Sequence, residues 1–236
     1  FGSDEQKRRM LPPMLSGEKA ACFGVTEPNA GLDTLSLTTR AERSGDGYVV
    51  NGQKHWTSMA QRADKILLLA RTTPKDEVEK RTHGLSLFFT DFNRDYVEVR
   101  EISKMGRKAV DSNAVFFDNL PIPREDLIGE EGKGFHYILH GLNPERILLA
   151  AEAVGLGRAA LRRACDYAKE RVVFNRPIGQ NQAIQHPLAK CWIDLEAAEL
   201  LAYNAAMLYD AGGECGAQAN AAKYFAVEAG FHACEQ

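Results

Sequence analysis

The sequence predicts an α+β protein of more than one domain: a β-sandwich or barrel, then an antiparallel α-helical bundle that is incomplete, with a short helical remnant in front. Three observations predict it. Over residues 21 to about 128, short apolar runs bounded by turn residues recur with no helical pattern between them, which argues for a sandwich or barrel rather than βαβ units. From Phe135 onward, apolar residues recur at helical spacing in long stretches joined by short loops, the pattern of a bundle. The change of period falls at the glycine-rich Gly129–Gly134. The expected domains are therefore 1–20, a helical remnant; 21–130, a β domain; and 131–236, a truncated helical bundle.

In chain order, Asp4-Glu5-Gln6-Lys7-Arg8-Arg9 reads as helix ended by Pro12-Pro13. Tyr48-Val49-Val50, Asn51-Gly52 and Gln53-Lys54-His55-Trp56 form a hairpin signal, because Asn-Gly suits the positive φ angles of a type I′ turn. Lys65–Ala70, Gly84–Phe89 and Ala114–Phe117 are apolar strand runs, and Tyr96–Arg100 alternates with the period of two. A long helix is expected from Phe135 to about Val172, with Pro144 either bending it or marking a new first turn. A loop at Phe174–Gly179 follows, then a second helix from about Asn181 to Asp210 and a third from near Gly216. The chain opens on Phe1 and stops inside a helical pattern, so both ends are expected to be cut and the chain to be part of a longer protein.

Composition excludes several classes. Of 236 residues, 44% are hydrophobic and 26% charged, which is ordinary for a folded domain and unlike disordered or collagen-like chains. Lys plus Arg number 29 against 32 Asp plus Glu, so there is no electrostatic footprint for nucleic acid. No apolar run is long enough to span a membrane. The five dispersed cysteines have no metal spacing and read as reduced thiols, placing the protein in a reducing compartment, the cytoplasm or mitochondrial matrix. His136 and His140, at i and i+4, lack the further ligands of a metal site, so no metal is expected.

Three segments carry candidate chemistry. Gly24-Val25-Thr26-Glu27-Pro28-Asn29-Ala30-Gly31 offers backbone N–H groups and a hydroxyl to a planar ligand, and is equally describable as an ordinary turn. Trp56, two residues before Ser58, suits an indole covering an aromatic cofactor whose edge meets the hydroxyl; a core tryptophan is the plainer alternative. Arg171 to Gln182 combines guanidinium groups, the Phe174 ring and amides next to a helix start, suiting phosphate and adenine or, alternatively, a solvated capping turn.

Taken together, these segments resemble the acyl-CoA dehydrogenase family of flavoproteins. The resemblance runs through Thr26-Glu27-Pro28 with Ala30-Gly31 and Asp33, then Asn51-Gly52-Gln53-Lys54 with Trp56. It continues through Met105-Gly106, Asp111-Ser112, Phe117-Asp118-Asn119, Pro123, Leu127, Gly129 and Gly132-Lys133-Gly134-Phe135. Glu145-Arg146, Tyr167-Ala168, Glu170-Arg171, Phe174, Pro177-Ile178, Gln182-Ala183 and Leu188-Ala189 complete it, so it spans essentially the whole chain.

That resemblance implies FAD as cofactor. It implies that Phe23, Val25 and Thr26 hydrogen-bond or pack on the isoalloxazine, that Trp56 covers it, and that Ser58, where the family more often has Thr, reaches N5. Arg171, Phe174 and Gln182 match positions that clasp the adenosine pyrophosphate of a neighbouring subunit's FAD, which implies a homo-oligomer, a dimer or tetramer. On the acyl-CoA side, Leu32 stands where the family usually has Ser, and Asn143 and Arg146 line the cleft. The implied reaction is α,β-dehydrogenation to a trans-2-enoyl-CoA: a carboxylate removes the α proton, flavin N5 accepts the β hydrogen as hydride, and electrons pass to an electron-transfer flavoprotein. Most members carry the base in a later segment, absent from this sequence; in the branches that carry it on the first bundle helix, its place is Glu145, with Glu152 a structural rival. The alternatives on the same fold are an oxygen-using acyl-CoA oxidase or flavin monooxygenase, and a non-catalytic flavin- or acyl-CoA-binding scaffold.

Overall fold

A computed structural model describes residues 1–236. It divides into two compact units, Phe1–Ile138 and Leu139–Gln236.

In the first unit, helix α1 (Asp4–Leu15) starts at a capping box: Ser3 Oγ accepts from the Gln6 N–H at 3.1 Å, and Gln6 Oε1 accepts from the Ser3 N–H at 2.8 Å. Pro12 and Pro13 do not end this helix but lie inside its last turn. Each lacks the N–H that would donate to the carbonyl four residues earlier, and the helix runs only two residues beyond them.

Eight strands follow: β1 (Ala21–Gly24), β2 (Arg40–Ser44), β3 (Gly47–Ser58), β4 (Lys65–Arg71), β5 (Leu85–Asp91), β6 (Val97–Glu101), β7 (Ser112–Ile122) and β8 (Leu127–Ile128). They form one sheet in the order β6-β7-β3-β2-β4-β5-β8, with β1 pairing parallel to β4. The sheet path is open, ending on β6 and β8, so the β domain is present without closure into a barrel. Its core joins Val50, Ile66, Leu68, Phe88, Val115, Phe117 and Leu120, all but inaccessible to water. A second cluster, with Leu69, Leu85, Leu87 and Tyr137, packs under the loop that follows β1.

The predicted hairpin at Asn51-Gly52 is not there. β3 runs straight through both residues, and the β2–β3 turn lies earlier, between Ser44 and Gly47. Asn51-Gly52 instead marks a register shift against β7. Gly52 has φ +141°, and a Cβ on it would lie 2.7 Å from Thr39 Cα. Asn51 Oδ1 accepts from the Asn119 N–H at 2.8 Å. The dipeptide thus serves a close strand approach and a bulge rather than a reversal.

In the second unit, α2 (Gly134–Glu170, begun in the first unit) runs as one helix through Pro144. A two-stranded hairpin, β9 (Val172–Val173) and β10 (Arg176–Pro177), separates it from α3 (Gln182–Asp210), and α4 (Gly216–Glu235) follows. The core of this unit is built largely from small side chains: Ala150, Cys191, Ala198, Ala205, Ala219, Ala222 and Ala226 around Val154 and Leu195. Backbones come close there, since a Cβ on Gly230 would lie 2.6 Å from the Ala153 carbonyl oxygen. No helix is long and apolar enough to cross a membrane.

Candidate active site

The site begins at an irregularity in β3. Lys54 pairs with Val115 and Thr57 with Asn113, so three steps on β3 match two on β7. The extra residue breaks the alternation of two: Lys54 and Thr57 both point inward, while Trp56 and Ser58 are exposed. Trp56 sits at φ +62°, an uncommon conformation for a bulky side chain, with its residue 54% exposed. It is therefore not the core tryptophan that its strand setting also allows.

The loop after β1 is tied to this bulge. The His55 N–H donates to the Thr26 carbonyl at 2.7 Å, and Lys54 Nζ donates to the Val25 carbonyl at 3.0 Å. These bonds bring half-buried Val25 and Thr26 beside Trp56. Phe23, on β1, is 43% exposed on the side of that strand opposite to buried Cys22 and Gly24. Leu32 stands fully exposed on the same loop, beyond the Glu27–Ala30 bridge.

Beneath lies a buried ion pair to which sequence reasoning assigns no role. Lys54 Nζ lies 2.9 Å from Glu27 Oε1, with both side chains almost wholly inaccessible. Glu27 Oε1 also accepts from the Thr39 N–H (2.9 Å), while Oε2 accepts from the Thr38 N–H (2.7 Å) and the Thr38 hydroxyl (2.8 Å). Burial by itself would raise the Glu27 carboxyl, but the Lys54 charge and the hydrogen bonds from Thr39, Lys54 and Thr38 outweigh it and hold the group at about 2. Burial pushes the Lys54 ammonium down to about 8, with Glu27 opposing the shift. Buried Arg71 completes the arrangement, its Nε donating to the Leu37 carbonyl at 3.0 Å and its Nη2 to the Leu35 carbonyl at 2.8 Å. Both members of the pair stand inside the quoted motifs. The signal that would have found them is the bulge, without which Lys54 and exposed Trp56 would share a face.

In the second unit, Asn143, Glu145 and Arg146 share one stretch of α2. Arg146 Nη1 donates to Asn143 Oδ1 at 2.9 Å, and Glu145 is exposed. Arg171 immediately precedes β9, Phe174 lies in the turn between β9 and β10, and Gln182 opens α3. Its two central residues, Phe174 (φ +52°) and Asn175 (φ +61°), make the primed turn that Asn51-Gly52 does not. Phe174 is 94% exposed at a backbone conformation unfavourable for an aromatic residue. Arg171 and Gln182 are exposed as well. Of the predicted residues, Phe23, Val25, Thr26, Leu32, Trp56 and Ser58 fall in the first unit and the remaining six in the second, where Asn143, Glu145 and Arg146 lie near the start of α2 and Arg171, Phe174 and Gln182 lie beyond its far end.

Comparison with known proteins places both parts of the chain in one family. Residues 22–120 match the model of the acyl-CoA dehydrogenase middle domain, and residues 132–236 match that of the acyl-CoA dehydrogenase C-terminal domain. The chain is 39% identical to an acyl-CoA dehydrogenase of Bacillus subtilis, over 97% of this chain and 60% of that protein. It is 40% identical to a 3-(aryl)acrylate reductase of Clostridium sporogenes, over 96% of this chain and 59% of that one. Among solved structures, butyryl-CoA dehydrogenase from Megasphaera elsdenii superposes with a TM-score of 0.91 at 34% identity, over 97% of this chain and 59% of that one. The chain therefore spans about three-fifths of the length of these relatives. With two successive domain models matched in the family's order, and a fold shared with its solved members, the chain belongs to the acyl-CoA dehydrogenase family.

Proposed function

We propose that the protein to which this chain belongs is an FAD-dependent enzyme that removes hydrogen from the α and β carbons of an acyl-CoA thioester. The observation that carries this reading is the strained, exposed Trp56 beside Thr26 and near Ser58. An aromatic shelf flanked by hydroxyls suits a planar ring with a hydrogen-bonding edge, so these residues fit the isoalloxazine. FAD, when bound, accepts the β hydrogen and both electrons.

The chain's own residues supply the rest. Trp56 covers the ring and keeps water from it, Phe23 and Val25 pack against it, and Thr26 and Ser58 hold its edge. Glu145 takes the α proton and becomes the neutral acid; its place immediately before Arg146, where the family resemblance puts the base in some branches, supports the assignment. Asn143 and Arg146, already bonded to one another, line the acyl-CoA side, together with Leu32. Arg171, Phe174 and Gln182 reach the adenosine and pyrophosphate of FAD in a neighbouring subunit, which makes the enzyme a homo-oligomer. The nearly complete exposure of the Phe174 ring at the tip of the β9–β10 turn supports this, since a large apolar side chain is left there for a partner to cover. Electrons leave to an electron-transfer flavoprotein, the acceptor that the family resemblance implies. The domain limits 1–20, 21–130 and 131–236 remain our division of these tasks.

The experiment is anaerobic titration of the complete protein with a panel of acyl-CoAs while flavin absorbance is followed. Wild type is expected to bleach with its preferred acyl-CoA, and Glu145→Gln to bleach about 100-fold more slowly or worse, the range for losing a positioned proton acceptor. Equal rates in the two would remove Glu145 from the mechanism. Turnover in air without added acceptor would instead identify an oxidase. A second reading, reduction of an arylacrylate, is favoured by the 40% identity to the clostridial reductase. It requires an arylacrylate substrate to restore the colour of the reduced protein.

A further inference from the structure

We propose that the buried Lys54–Glu27 pair, with Arg71, is a positioning device that sets the flavin-side loop and the Leu32 loop together against the Trp56 bulge. The inference rests on the flavin reading above and assigns three residues that contact neither flavin nor substrate.

The segment Val25–Thr39 carries Thr26 at one end and Leu32 in its middle. One carboxylate, that of Glu27, holds the far end of this segment through the N–H groups of Thr38 and Thr39. Lys54, bonded to the same carboxylate, holds the near end through the Val25 carbonyl. Arg71 grips the carbonyls of Leu35 and Leu37 between them. Lys54 lies two residues before Trp56 on β3, so the bulge and the loop share one anchor.

Stability alone does not explain charges here. A well-packed apolar pair of the same volume is often as stable as a buried ion pair, or more so. What an apolar pair cannot do is orient the Val25 carbonyl and the Thr38 and Thr39 N–H groups, which in this setting would be left without partners. The pair therefore specifies one loop geometry, and both ends of the loop move if it is altered. A residue that merely filled space would transmit no such change to the substrate side.

The test uses the complete, FAD-loaded protein and charge-conserving variants that change reach: Glu27→Asp and Lys54→Arg. Folding is checked by circular dichroism, FAD dissociation by fluorescence, the flavin absorption band by spectroscopy, and KM and kcat for the best acyl-CoA by steady-state assay. The expected result is a folded protein whose FAD dissociation constant and acyl-CoA KM both rise about tenfold, corresponding to about 1.4 kcal/mol at each site, with a shifted flavin band. Trp56→Ala is the control and is expected to weaken FAD binding chiefly. Folded Asp and Arg variants with wild-type FAD affinity, flavin band and KM, beside an impaired Trp56→Ala, would overturn the inference and leave the flavin reading standing. If Trp56→Ala also left FAD binding unchanged, the flavin reading itself would have failed. Should neither charge-conserving variant fold, Arg71→Lys decides. It keeps the charge but loses the fork that spans two carbonyls, so KM is expected to rise severalfold with FAD affinity nearly unchanged, and an unchanged KM overturns the proposal.

Discussion

Lys54 is a charged side chain with no exposure to water, and its charge makes that burial conditional on one partner. Removing Glu27 leaves an ammonium without compensation, the situation that costs about 3–5 kcal/mol. Glu27→Gln is accordingly expected to lower unfolding free energy by about that amount in urea titrations at neutral pH. The acid limb has a definite sign. The Glu27 carboxyl stands near 2 in the folded protein against an ordinary 4.5. Its contribution, about 3 kcal/mol, is therefore complete above the unfolded value and is lost as pH falls from there towards 2. Melting temperature followed over that range should fall less steeply in Glu27→Gln than in wild type. An identical slope would show that Glu27 is not held down. At this scale the sequence is informative about identity and silent about burial: Glu27 and Lys54 lie within recognisable motifs, yet a charge in a strand reads as facing solvent until the bulge is seen.

Among the elements, β3 departs furthest from its pattern. Asn-Gly is a strong hairpin signal because both residues tolerate positive φ, but a turn must also compete with the partners that a longer strand can make. Here β7 pairs with β3 on both sides of Gly52, and Thr39 passes so close that only glycine fits. Gly52→Ala is expected to cost about 2 kcal/mol or more, because it adds both a Cβ clash and an unfavourable φ. A chemical denaturation midpoint equal to wild type would show that the strand can shift to accommodate it. The helices are more legible. Their periodicity predicts α2, α3 and α4 to within a few residues, and the continuity of α2 through Pro144 is the one feature that the proline signal leaves open. The primed turn occurs instead at Phe174-Asn175, where no glycine announces it and a two-residue gap between short strands demands it.

For the molecule as a whole, the sharing of one site between subunits is the prediction with the cleanest outcome. If Trp56 of one subunit and Arg171 of its neighbour serve the same FAD, then complete proteins carrying Trp56→Ala and Arg171→Ala should each bind FAD poorly. Dissociating, mixing and reassembling them should restore wild-type sites in the hybrids, since one of the two sites in a mixed pair then has both residues intact. No recovery after verified exchange would show that each chain builds its site from its own residues. The exposed large side chains Leu200, Tyr203 and Met207, at i, i+3 and i+7 on α3, provide an apolar face of the kind that assembly covers.

Sequence by itself determined the family and the order of a sheet-rich part before a helical one, because these rest on local patterns and ordered motifs. Tertiary structure alone decided which way β3 turns its side chains, where the primed turn falls and that two opposite charges, Lys54 and Glu27, lie buried together. Each of these depends on a partner strand or loop distant in the chain, whose pairing energy outweighs the local preference of the residues it touches.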